Sequence, residues 1–84
     1  MTTPIVPANG GDLGQLLRRL RHDAGMSPEG LARRLTMSRS GVLRREQIGF
    51  LPADALIAHA RALGYDVALV PRLADIPTDN RRPS

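Results

Sequence analysis

An 84-residue chain with a formal net charge of +4 has room for one small domain and little more. It has no cysteine, which excludes disulfides, thiolate metal sites and a cysteine nucleophile. No apolar run is long enough to span a membrane and no basic, apolar leader opens the chain, so a soluble, cytoplasmic protein is expected. Aromatic residues are limited to Phe50 and Tyr65, so the core must be built from Leu, Val, Ile, Ala and Met. A small core of that kind leans on oligomerisation for part of its stability.

All of the basic residues are arginine, and their distribution is more informative than their number. Residues 12–50 carry eight arginines against Asp12, Asp23, Glu29 and Glu46. Residues 51–84 balance Arg61, Arg72, Arg81 and Arg82 against Asp54, Asp66, Asp75 and Asp79. The net positive charge therefore lies wholly in the first part of the chain. That balance suits a polyanion, with a solvated arginine face as the plain alternative.

Residues 1–11 combine two prolines and a Gly-Gly pair without periodicity and are expected to form a flexible arm. The arm has no Arg or Lys with which to enter a minor groove. A first helix is predicted from Asp12, as N-cap, to about Ala24. Leu13, Leu16, Leu17, Leu20 and Ala24 form its apolar stripe, and Gly25 suits the left-handed residue after its end. Ser27 caps a second helix with Pro28 at its first position, and Leu31, Ala32 and Leu35 share its buried face. After a break at Thr36-Met37, Ser38 caps a third helix over 39–45, anchored by Met37 and Val42. Its other face carries Arg39, Ser40, Gly41 and Arg44, which a small core would not take. A short helix held by its neighbour, with an arginine face left in solvent, is how a helix-turn-helix presents its recognition helix.

Gln47–Pro52 forms the next connection, with Gly49 as its flexible point and Phe50 and Leu51 as apolar anchors. A fourth helix runs from Pro52 or Ala53 to Leu63, with Leu56, His59, Ala60 and Leu63 on its buried stripe. Gly64 ends it, and the period then changes. Tyr65, Val67, Leu69 and Pro71 alternate with Asp66, Ala68, Val70 and Arg72, a strand pattern over 65–72. A lone strand cannot satisfy its own backbone, so it is expected to pair with a second copy or another protein. Residues 73–84 are expected to be a disordered tail.

The sequence LGQLLRRLRHDAGMSPEGLARRLTMSRSGVLRRE, then Pro52, then ALIAHARALG, resembles the phage repressor/Cro-like helix-turn-helix proteins, the Xre family. The resemblance covers residues 12–64. It implies a mainly α fold of four to five short helices, lambda-repressor-like, acting as a homodimer on a palindromic double-stranded operator. It places Arg39, Ser40, Gly41 and Arg44 toward the bases of the major groove. Arginine can make two hydrogen bonds to guanine, although Arg39 serves equally as a phosphate contact. Gly41 either lets the backbone approach DNA closely or is a tolerated helix defect. Ser27 and Ser38 cap helices and can also offer hydroxyl and N–H groups to phosphate, with capping alone the default for Ser27. Arg18, Arg33, Arg34 and Arg45 are phosphate candidates or plain solvated charges. By the same resemblance Arg21 and Glu46 form a salt bridge that orients the recognition helix.

Three positions depart from the family pattern: Pro28 stands where Gln is usual, Ile48 where Gly is usual, and Arg45 where an apolar residue is common. The strand at 65–72 resembles that of HipB-like antitoxins, which pairs across a dimer. His59, Leu63, Tyr65, Val67 and Leu69 are accordingly assigned to dimerisation, with His59 read as a dimer or a core residue. Neither histidine has a metal-ligand neighbourhood, and no phosphate loop, nucleophile set or carboxylate pair marks an enzyme. No metal or cofactor is expected. The sequence thus points to a DNA-binding transcriptional regulator, a small Cro-like phage repressor among the possibilities. The alternative is an antitoxin-type module that neutralises a toxin and regulates its own operon.

Overall fold

The computed structural model describes residues 3–72. The tail expected at 73–84 lies outside the described residues. Four helices follow one another: α1 (Gly10–Asp23), α2 (Pro28–Leu35), α3 (Arg39–Ile48) and α4 (Ala53–Ala62). Local sequence sets their starts. The Ser27 hydroxyl accepts from the Gly30 N–H at 3.0 Å, with Pro28 opening α2. The Ser38 hydroxyl does the same for Gly41 at 3.0 Å and opens α3.

The first helix begins two residues earlier than Asp12, because Asn9 is its N-cap. The Asn9 carboxamide oxygen accepts from the Asp12 N–H at 2.9 Å, and the Asp12 carboxylate accepts from the Ala8 N–H at 3.3 Å. This reciprocal pair satisfies two donors at the helix start, and the Asp12 charge complements the positive end of the helix dipole. Gly10 and Gly11 enter the helix despite a propensity cost of about 1 kcal/mol each. Close approach explains Gly10. A Cβ there would lie 3.3 Å from the Gly49 carbonyl oxygen, and one on Gly14 would overlap the Glu46 carbonyl. The start of α1 thus rests backbone-to-backbone on the end of α3.

That contact also explains why α3 runs to Ile48 rather than stopping at Arg45. Gly49 takes the left-handed C-cap conformation, φ 71°, and its N–H closes on the Arg45 carbonyl at 2.8 Å. Gly49 is a fixed cap, not the flexible point its composition suggested. Beyond it Leu51 packs on the core, but Phe50, expected as an anchor, is 79% exposed.

The core is aliphatic. Leu17 and Leu20 from α1, Leu31 and Ala32 from α2, Val42 from α3 and Leu63 after α4 form one cluster. Helix α3 packs on α1 and α2, and α4 packs on α2. Residues 65–72 adopt no regular secondary structure, and no strand occurs among the described residues. Tyr65 is tied back by its N–H to the Ala60 carbonyl at 2.9 Å, while Leu69 is fully exposed.

A bidentate ion pair crosses this core between α1 and α3. Arg21 of α1 meets Glu46 of α3 through two contacts, Nε to Oε2 at 2.7 Å and Nη2 to Oε1 at 3.1 Å. Its remaining terminal nitrogen donates to the Met26 carbonyl at 3.0 Å. Both side chains are buried. Removing one partner strands a charge in a low-dielectric setting, which costs about 3–5 kcal/mol, whereas replacing both with apolar groups is close to neutral. Glu46→Ala is therefore expected to lose about that much in urea denaturation followed by circular dichroism. The double variant Arg21→Met/Glu46→Leu should recover most of the loss.

Candidate nucleic-acid interface

The second and third helices are joined by a turn that leaves little freedom. Thr36 adopts the left-handed conformation at φ 55°, which is disfavoured for a β-branched residue. The N–H groups of Thr36 and Met37 return to the carbonyls of Arg33 and Ala32 at 3.3 and 3.0 Å. Val42 is then fully buried beneath α3, and Met37 packs against the same cluster. With that side of α3 fixed, its opposite side faces solvent.

Ser40 and Arg44, four residues apart, are exposed on that side, and Arg39 is exposed at the first residue of α3. Gly41 differs. It is half-buried, and a Cβ there would meet the Met37 methyl carbon at 2.7 Å and the Ser38 hydroxyl at 3.2 Å. Neighbours within the motif therefore occupy the space a side chain would take. Ser40 sits 3.2 Å, oxygen to oxygen, from the Ser38 hydroxyl. Arg39 forms an ion pair with Glu29 of α2, Nε to Oε2 at 3.1 Å, and both side chains are more than half exposed. The N-terminal turns of α2 and α3 therefore lie side by side. Their unpaired N–H groups and positive dipole ends give that surface a further affinity for anions.

The other candidates divide. Arg18 and Arg33 are exposed on α1 and α2. Arg34 is exposed too, but donates to the Ala62 carbonyl at 3.4 Å near the end of α4. The hydroxyls of Ser27 and Ser38 are engaged as caps. Arg45, a phosphate candidate on sequence grounds, is half-buried, with Nη1 at 3.2 Å from His59 Nδ1. The apolar residue common at that position is replaced here by a polar pair between α3 and α4.

His59 is completely buried and Leu63 nearly so, which puts both inside the protomer rather than on a dimer surface. Of the residues assigned to dimerisation, Tyr65, Val67 and Leu69 are the exposed ones. Two features escaped sequence reasoning. Glu29 counted only as a charge, because its reach to Arg39 depends on the angle between two helices. Ile48 and Phe50 line an open cleft with Met37, Gly41, Arg44 and Arg45, beside the arginine face.

The arrangement of α2, a tight turn and α3, with an arginine-bearing outer face, is that of a helix-turn-helix. Residues 12–73 match the family model described as a helix-turn-helix domain, and the chain belongs to that family. Such a domain points to double-stranded DNA as the partner. No curated protein is similar enough to count as a relative. None of the described helices is long and apolar enough to cross a membrane.

Electrostatics at the Arg45–His59 pair yields a pH dependence. Burial holds the His59 pKa below its ordinary 6.5, the Arg45 charge lowers it further, and Glu46 opposes both. Arginine can only donate, so Nδ1 accepts and the proton sits on Nε2, a buried atom without a hydrogen-bond partner among the described residues. The unfolded chain binds the proton more readily than the folded one. Stability is therefore full above pH 6.5 and falls as pH drops below it, by at most about 1.4 kcal/mol per pH unit. Urea midpoints measured between pH 7.5 and 5 should show this decline, and His59→Leu should flatten it.

Proposed function

We propose that the chain is a sequence-specific transcriptional regulator of double-stranded DNA, a repressor, that inserts α3 into the major groove as a homodimer. The observation that carries this reading is the exposure of Arg39 at the start of α3 and of Ser40 and Arg44 along its outer face, on a helix held from within by Val42 and the Arg21–Glu46 bridge. Arg39 and Arg44 are assigned to base edges, where a bidentate arginine–guanine contact discriminates by ~1–3 kcal/mol. Ser40 adds a hydroxyl to the same surface. Arg18, Arg33 and the N-terminal turns of α2 and α3 are assigned to phosphates, which set register without reading sequence. Arg34 and Arg45 serve mainly inside the protomer.

The homodimer rests on residues 65–70. Their side chains alternate in the sequence, Tyr65, Val67, Leu69 and Val70 are exposed, and their backbone joins no ladder among the described residues. A strand formed against the same segment of a second copy would cover these groups. The same exposed segment also favours a second reading, an antitoxin-type module that docks it on a toxin and represses its own operon.

Fluorescence anisotropy tests the main reading, using a duplex selected by the protein from a random pool and a scrambled control. Specific binding should exceed scrambled binding by on the order of 10³-fold or more. Arg39→Ala should cut that ratio by roughly 5- to 150-fold, the loss of one bidentate contact. Equal, steeply salt-dependent binding to both duplexes would mean bare electrostatics and contradict the reading.

A further inference from the structure

Arg39 stands in an unfavourable place for a cation. It opens α3, at the positive end of the helix dipole, and the first turn of α3 contains no acidic residue. Glu29, in the first turn of α2 where the dipole favours a carboxylate, supplies the missing negative charge from across the turn. The contact is made through Arg39 Nε at 3.1 Å. A contact at Nε uses the side edge of the guanidinium, which leaves its end edge, one N–H from each terminal nitrogen, as a planar fork of the kind that matches guanine O6 and N7.

We propose that Glu29 is a specificity-determining residue of this surface, acting by holding Arg39 for a base edge and against the DNA backbone. The inference rests on the proposed base-reading role of Arg39. On a non-specific duplex the nearest acceptors are phosphates. An Arg39 held by Glu29 gains little from them, and the carboxylate itself repels them. On the right sequence the fork closes on guanine while Nε keeps its partner, so the pair is retained only in the specific complex. Glu29 thus raises the ratio of specific to non-specific binding by weakening the second, at some cost to total affinity.

A double-mutant cycle tests this, with Glu29→Gln, Arg39→Ala and their combination measured on the selected and scrambled duplexes over a salt series. Both side chains are exposed, and thermal melts confirm that the variants fold. Glu29→Gln should tighten scrambled binding and steepen its salt slope by about one phosphate contact. The specificity ratio should fall roughly two- to fivefold, the size of an exposed ion pair. In the Arg39→Ala background the same substitution should leave the ratio unchanged. A ratio unmoved by Glu29→Gln alone overturns the proposal, and so does an equal fall in both backgrounds, which would assign the effect to the Glu29 charge itself. A wild-type protein that does not discriminate between the duplexes overturns the DNA-reading assignment and this inference together.

Discussion

The buried pair of Arg21 and Glu46 is the constraint on which the arrangement of α3 depends. A bidentate ion pair in an apolar core is costly to desolvate, and by itself it adds little to stability. Its value lies in geometry. Two contacts between a planar guanidinium and a planar carboxylate fix the separation and the relative rotation of α1 and α3. The third donor, to the Met26 carbonyl, ties the same arginine to the loop that leads into α2. One side chain therefore locates α1, the start of the helix-turn-helix and α3. The glycine contacts at the other end of α1 complete this, because Gly14 and Gly49 allow backbone approach that any Cβ would prevent.

A helix held in that way can leave a whole face unused by the fold. Val42 is the one fully buried apolar residue of α3, and Leu31 is its counterpart on α2. Little hydrophobic area anchors α3, so polar contacts replace it: Glu46 toward α1 and Arg45 toward His59 of α4. The substitution of an arginine–histidine pair for apolar packing has a consequence for the domain as a whole. It brings a neutral, desolvated imidazole into the core, with one N–H left unsatisfied among the described residues, and so makes core stability sensitive to acid. The basic surface and the folded core are thereby linked through neighbouring residues of one helix.

Much of this was legible in the sequence because it is local. Ser27, Pro28 and Ser38 announce helix starts, and the leucine spacing of α1 and α2 sets their buried faces. The Arg21–Glu46 bridge came from family resemblance, since a spacing of twenty-five residues carries no signal of its own. The start of α1 was misplaced because Asn9 and Asp12 are both good caps, and only the packing of Gly10 and Gly14 on α3 selects the earlier one. Phe50 looked like an anchor by composition, yet the Gly49 cap turns it outward. Glu29 and Arg39 belong to different helices and meet only through the turn at Thr36 and Met37. The alternation over 65–72 describes a segment able to form a strand, and strand formation needs a partner strand, of which there is none among the described residues.

The central claim is that α3 reads the major groove of duplex DNA as part of a two-fold assembly. Dimethyl sulfate protection on the selected duplex tests it directly, because the reagent methylates guanine N7 in that groove, the atom that arginine would cover. Two clusters of protected guanines are predicted, centred about one helical turn apart or a small multiple of it. Full reactivity at every guanine N7, under conditions where the protein still protects the sugar-phosphate backbone, would contradict the account.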